Sequence, residues 1–237
     1  MPTLATLYVF PHAGGSPSYY VPLAAAFGPD VRVVGVPYPG RGGAHDVAGL
    51  TGIEALADAV SARLSPATAA EGPIAFFGHS MGALVAFETA CRFESAGRAV
   101  DGLFVSACAA PGESGFDVAA DDAELLDAAA RMTGADPALL RSEEFSARIL
   151  PTLRGFQAIT AYRPDAARRV TSAIRAYSGE TDEIATAERM SGWAARTSGY
   201  LGLRSFPGHH FYLGDHAGDV AADIEATLRR GAAARPV

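Results

Sequence analysis

Lysine does not occur in this chain of 237 residues, so all 19 basic side chains are arginine. Set against 26 acids they leave a net charge of −7, which argues against nucleic acid as the main partner, because a phosphate-binding surface needs a positive surplus. Cysteine is nearly absent. Cys91 and Cys108 lack the spacing of a disulfide framework or a metal site, and read as small core residues with reduced thiols. No apolar run is long enough to cross a bilayer. The stretch Met1-Pro-Thr-Leu-Ala-Thr6 has neither the basic region nor the apolar core of a secretion signal. The expectation is a cytoplasmic protein with no membrane partner. Missing lysine beside abundant alanine, glycine and arginine matches the coding bias of a GC-rich genome and carries no functional information.

A hydrophobic fraction of 49% and a charged fraction of 19% are ordinary for a globular domain, and the length suits a single α/β domain over 1–237. Its most informative segment is Pro73-Ile-Ala-Phe-Phe-Gly78-His79-Ser80-Met81-Gly82, followed by Ala-Leu-Val-Ala-Phe-Glu-Thr-Ala. An apolar β-run enters a sharp turn with serine at its apex and leaves as a helix. Gly-x-Ser-x-Gly in that setting is the nucleophile elbow of α/β-hydrolases. A side chain at 78 or 82 would clash across so tight a turn. The bland alternative is a serine that only caps the helix.

The rest of the chain alternates strand and helix. Strands are expected at 4–10, 31–37, 73–77, 102–108, 172–178 and 203–206. Helices are expected at 18–27, 51–64, 81–96, 184–197 and 215–230, the second opened by Thr51 and Glu54 in a capping-box pattern. Such alternation predicts a mostly parallel sheet flanked by helices. From about 112 to 166 the alternation stops, and 121–132 and 137–150 read as helices, with a third after Leu153. This is the expected place of a helical lid insertion; the alternative is helices that pack on the sheet. Eight arginines against four acids make 131–175 a +4 segment in a chain whose remainder carries −11.

A serine nucleophile needs a base within hydrogen-bond reach and an acid to orient that base, in the chain order serine, acid, histidine. The acid should follow the strand 172–178, where Glu180, Asp182 and Glu183 compete. Asp182 is preferred, because the turn Gly179-Glu-Thr-Asp lets it reach back over the sheet. Asp101 precedes its strand and lies at the wrong end. Among six histidines, His12 and His45 come too early, His79 points away from the hydroxyl, and His216 falls on the last helix. His209 and His210 remain, with His210 preferred. Two backbone N–H donors should form an oxyanion hole. One is Met81, which follows the nucleophile, and the other is Ala13 in the loop Pro11-His-Ala-Gly-Gly15.

Phe10-Pro-His-Ala-Gly-Gly-Ser16, Pro39-Gly-Arg41, Gly78-His-Ser-Met-Gly82 and Gly208-His-His-Phe-Tyr-Leu213 together resemble the type II thioesterases of polyketide and nonribosomal peptide pathways, over about 7–225. Members carry Gly-Gly-His-Phe-Phe near the end, which maps onto Gly208–Tyr212 and supports His210. Their Gly-Asp-x-Asp maps onto Gly179–Asp182 and supports Asp182. Trp193 also falls where the family often has tryptophan, although a core aromatic would read the same. The resemblance implies a stand-alone monomeric α/β-hydrolase, needing no cofactor or metal, that removes acyl groups from the phosphopantetheine of acyl or peptidyl carrier proteins met transiently. Two positions depart from the pattern. Gly-Gly-Ala-His-Asp stands at 42–46 where an arginine and an acid are usual, and Leu153-Arg-Gly-Phe156 lacks the lid acid.

On this reading an acyl-Ser80 ester forms and water releases the acid. Arg168 and Arg169 in the +4 segment are expected to steer acidic carriers. Three alternatives stand: a cyclase or acyltransferase built on the same acyl-enzyme, a carboxylesterase or lipase, and a binding protein on a dead hydrolase fold.

Overall fold

Three aromatic-rich strands lie side by side at the centre of a six-stranded sheet: β1 (Ala5–Phe10), β3 (Ile74–His79) and β4 (Leu103–Ser106). Outside them run β2 (Val31–Gly35) on one edge and β5 (Ile174–Gly179) and β6 (Tyr200–Phe206) on the other, giving the order β2-β1-β3-β4-β5-β6 with every pairing parallel. The computed structural model describes residues 3–38, 52–68, 72–113, 121–147, 149–150, 153 and 162–234. The Pro39–Asp46 motif region, Thr51, and the lid positions Arg154, Gly155 and Phe156 lie outside that set.

Both faces of the sheet are covered, which is why its inner strands read as unbroken apolar runs. Alternate residues feed two cores. Tyr8, Phe10, Ile74 and Phe76 pack with helices α2 (Ile53–Thr68) and α3 (Met81–Ser95). Leu7, Val9, Ala75 and Phe77 face the other side with α1 (Val21–Ala25) and the last helix, which spans Leu213–Ala233. The chain runs from β1 outward to β2 on one side and then crosses back over β1 to β3 on the other. That reversal opens a crevice at the carboxyl ends of β1 and β3, the usual ligand position in an open α/β sheet.

Between β4 and β5 no strand of the main sheet occurs among the described residues. Helix α4 (Asp122–Thr133) opens with the capping box Asp121/Glu124 and ends on Gly134 in the left-handed conformation. The expected 137–150 helix is broken: α5 (Pro137–Leu140) closes at Arg141, and 143–147 form a further helical stretch. Leu126, Ala129, Ala130 and Leu140 make a small core of their own, apart from the two sheet cores.

Three expected boundaries move for identifiable reasons. The 18–27 helix splits into a 3-10 turn (Pro17–Tyr20) and α1, because Pro22 offers no N–H to continue the ladder. The 184–197 helix starts later, as α6 (Ala187–Ser191), and continues as a 3-10 turn (Gly192–Arg196). Its expected first residues are held elsewhere, since Ile184 and Ala185 donate their N–H groups to Asp182. The helix after it, α7 (Leu213–Ala233), begins two residues early and kinks at His216.

Candidate active site

Ser80 joins β3 to α3 with φ 55° and ψ −128°, a conformation that costs a side-chain-bearing residue energy. The two glycines make it possible. A Cβ on Gly78 would lie 2.2 Å from the carbonyl oxygen of Gly82, and one on Gly82 would lie 2.0 Å from that of Phe10. The Ser80 N–H is fixed by the carbonyl of Ser106 at the end of β4 (2.7 Å). Its hydroxyl makes no helix-capping bond, which removes the bland reading of this serine. The hydroxyl instead lies 3.0 Å from Nε2 of His210.

His210 stands in the loop after β6, and its Nδ1 is 2.8 Å from Oδ2 of Asp182. The other Asp182 oxygen, Oδ1, accepts the N–H groups of Ile184 and Ala185 at 2.9 and 3.0 Å. Burial pushes this carboxyl up, but the His210 hydrogen bond and charge and the two backbone donors outweigh it and hold it below the ordinary aspartate value. An ionised Asp182 accepts only, so the His210 proton sits on Nδ1. Nε2 is then left with a lone pair for the Ser80 hydroxyl. Ser80, Asp182 and His210 are all nearly fully buried, at 3%, 4% and 2% exposure.

The loops bearing acid and base are laid on one another. Glu180 N–H donates to Phe206 and Thr181 N–H to Gly208, while a Cβ on Gly179 would fall 2.3 Å from the His209 carbonyl oxygen. Only glycine permits that approach. On the far side of the serine, the loop after β1 meets the start of α3 at Gly82, so Ala13 and Met81 border the same crevice. The lid touches this region too. Arg131 of α4 reaches Glu183 at 3.7 Å, and Gly134 lies against the His209 ring.

The remaining candidates are placed elsewhere. His209 is exposed, with Nδ1 facing the Phe211 N–H. His216 pairs with Asp219, and Asp101 caps Ile74 at the opposite end of the sheet. His12 packs its ring among Tyr19, Tyr20 and Phe211, with Nδ1 2.8 Å from the Tyr20 hydroxyl. His45 falls outside the described residues.

The profile of the thioesterase domain family matches residues 5–228. The chain belongs to that family. Thioesterase TesA of Mycobacterium leprae is 45% identical over 94% of this chain and 86% of its own length. Among solved structures, BorB, the type II thioesterase of the borrelidin cluster, superposes with a TM-score of 0.78 at 36% identity, over 96% of this chain and 94% of that one. RedJ, from the prodiginine pathway of Streptomyces coelicolor, gives 0.79 at 32%, over 95% and 86%.

In this thioesterase, some groups near or behind the site were named by the sequence and others, Glu88 above all, were not. Trp193 is a core residue after all, fully buried against Phe87, with its indole N–H on the Cys108 carbonyl. Glu88 is a buried carboxylate on α3 that binds Arg92, Arg168 and the Tyr162 hydroxyl. A lone acid in the apolar run Ala-Leu-Val-Ala-Phe-Glu-Thr-Ala was the available signal. Arg168 therefore has a structural partner, and its residue precedes β5 at the sheet edge opposite the serine. An open cleft of about 960 Å³ at that same far edge is lined by Asp58, Cys91, Arg92, Glu94, Arg168 and Arg169 among others, and takes no part in the serine chemistry. Burial pushes the Cys91 and Cys108 thiols up to about 12, so neither is a competing nucleophile.

Proposed function

We propose that this thioesterase is a stand-alone editing enzyme, acting as a cytoplasmic monomer. Its substrates are acyl groups on the phosphopantetheine of acyl or peptidyl carrier proteins in polyketide or nonribosomal peptide assembly. The observation that carries the reading is the unbroken and nearly fully buried chain Asp182–His210–Ser80, with α4 and its cap touching both catalytic loops.

Ser80 Oγ attacks the thioester carbonyl carbon while its proton passes to Nε2 of His210. Asp182 holds the ring in register and offsets the positive charge formed on it. The N–H groups of Met81 and Ala13 are assigned to the oxyanion, a donor pair whose members each typically contribute about 10²–10³ in rate. The C–S bond breaks, the sulfur leaves as the carrier's thiol with the His210 proton, and acyl-Ser80 remains. Water then gives a proton to His210, attacks the ester, and releases the carboxylic acid as Ser80 recovers its proton. No bound cofactor enters, since the pantetheine is part of the substrate.

Intact-protein mass spectrometry of carrier proteins loaded with a short and a long acyl chain tests this. Wild type should remove the acyl mass and release free acid, while Ser80→Ala should leave both carriers loaded. A cyclised or transferred product would make the enzyme a chain-releasing cyclase or acyltransferase. Equal turnover by Ser80→Ala would sink the assignment.

A further inference from the structure

Three side chains behind the catalytic serine have no part in the mechanism above. The Tyr212 hydroxyl lies 2.7 Å from Ser106 Oγ, which lies 2.9 Å from His79 Nδ1. All three residues are buried, Ser106 and His79 completely. His79 immediately precedes the nucleophile, and Tyr212 follows the base by two residues. Ser106 ends β4, and its carbonyl also receives the Ser80 N–H. The chain thus spans from the nucleophile's strand to the base's loop across the neighbouring strand.

Proton accounting gives it a direction. Burial, with the nearby His210 and His12, keeps His79 neutral, so the three groups carry one proton each. If Tyr212 donates to Ser106 and Ser106 donates to Nδ1, both links are filled and one N–H, on Nε2, is left over. The reverse order strands the phenol proton and an Nε2 lone pair together. The first arrangement leaves fewer buried groups unpaired, and Nε2 is indeed without a partner. The Tyr212 ring is itself clamped, stacked on Phe206 at 5.4 Å with planes 8° apart.

We propose that Tyr212, Ser106 and His79 form a buried bracket that sets the separation of Ser80 and His210, acting as positioning residues for the nucleophile and base. Loss of the bracket lets the two loops drift apart without touching substrate contacts, so it lowers the chemical rate and spares binding. The bracket serves the serine chemistry of the proposed thioesterase, but its test does not depend on the natural substrate.

The test is the second-order rate of Ser80 labelling by a fluorophosphonate, measured for wild type, Tyr212→Phe, Ser106→Ala and the double variant, each first shown to be folded by its thermal melt. Each single variant should label about tenfold more slowly, in line with the sensitivity of near-attack geometry to small displacements. The double variant should be no slower than Ser106→Ala, because both cut one chain. On an acyl thioester, kcat should fall by the same factor with KM unchanged. Labelling within twofold of wild type in both single variants, or losses that multiply in the double, would overturn the proposal. If wild type labels normally yet hydrolyses no carrier-bound acyl group, the functional reading fails while the labelling rates still decide the bracket.

Discussion

Asp182 shows how one side chain answers several demands. It must stay ionised in a dry site, and it does so by spreading its charge over His210 and two backbone N–H groups. Asp182→Asn should leave the fold intact but cost about 10⁴ in kcat, because the amide favours the wrong His210 tautomer. A variant within tenfold of wild type in steady-state hydrolysis would remove Asp182 from the triad. Stability against pH follows from groups whose folded values are depressed, His79 and Asp182 at the site among them. Burial first, then His210 and His12, holds His79 well below the ordinary histidine range. Below about pH 6.5 the unfolded chain takes up a proton that the folded chain refuses, so stability is full above that pH and falls below it, by at most about 1.4 kcal/mol per unit. Asp182 adds a loss of the same sign only at more acidic pH, as its carboxylate is protonated. Melting temperatures should therefore fall between pH 7 and 5.5, and His79→Asn should flatten that slope; an unchanged slope would show that His79 is not the group responsible.

Elements are joined at points where no side chain fits or where a charge is buried. Gly82 meets the Phe10 and Pro11 carbonyls, so Gly82→Ala has backbone on its open side and nowhere to relax. It should cost about 3 kcal/mol or more in denaturant unfolding. Glu88 is the second kind of joint. Its carboxylate is inaccessible while Arg168 is 37% and Arg92 23% exposed, so the cations reach inward to an acid that water does not. Glu88→Ala should destabilise the fold by about 3 kcal/mol, a figure at the low end for a broken buried pair because the cations stay partly solvated. The sheet places Glu88's partners at the edge away from Ser80, so fluorophosphonate labelling of the folded variant should match wild type. A labelling defect in folded protein would show coupling across the sheet. Among the described residues, α4 meets the catalytic loops through the exposed Arg131–Glu183 ion pair and the contact of Gly134 with the His209 ring, and an exposed pair of this kind contributes little to stability.

At the scale of the molecule, charge is less segregated than the sequence count suggests. Arg131, Arg141, Arg168 and Arg175, half of the arginines in the +4 segment, face Glu183, Asp127, Glu88 and Asp223. Arg168→Glu would set a carboxylate against Glu88. The expected outcome is a lower melting temperature with KM for a carrier-bound acyl group within twofold of wild type. A several-fold rise in KM at unchanged stability would establish the steering role. Arg169, exposed one residue further on, is the internal control for charge alone.

The sequence by itself determined the strand–helix alternation, the elbow and the members of the triad. Each is a local matter: apolar runs long enough for buried strands, glycines where a Cβ cannot fit, and turn residues that end strands at the right edge. Even so, position along the chain left both His209 and His210, with His210 preferred and the resemblance supporting it, because neighbours in a loop differ only in which way the fold turns them. Tertiary structure alone decided that His210 faces Ser80 and that Arg168 belongs to Glu88. It alone brought His79, Ser106 and Tyr212 together, across separations of 27 and 106 residues. The physical reason is common to all of these. Hydrogen bonds between buried groups depend on which strands become neighbours, and in a parallel sheet neighbours are set by crossovers that local sequence does not encode.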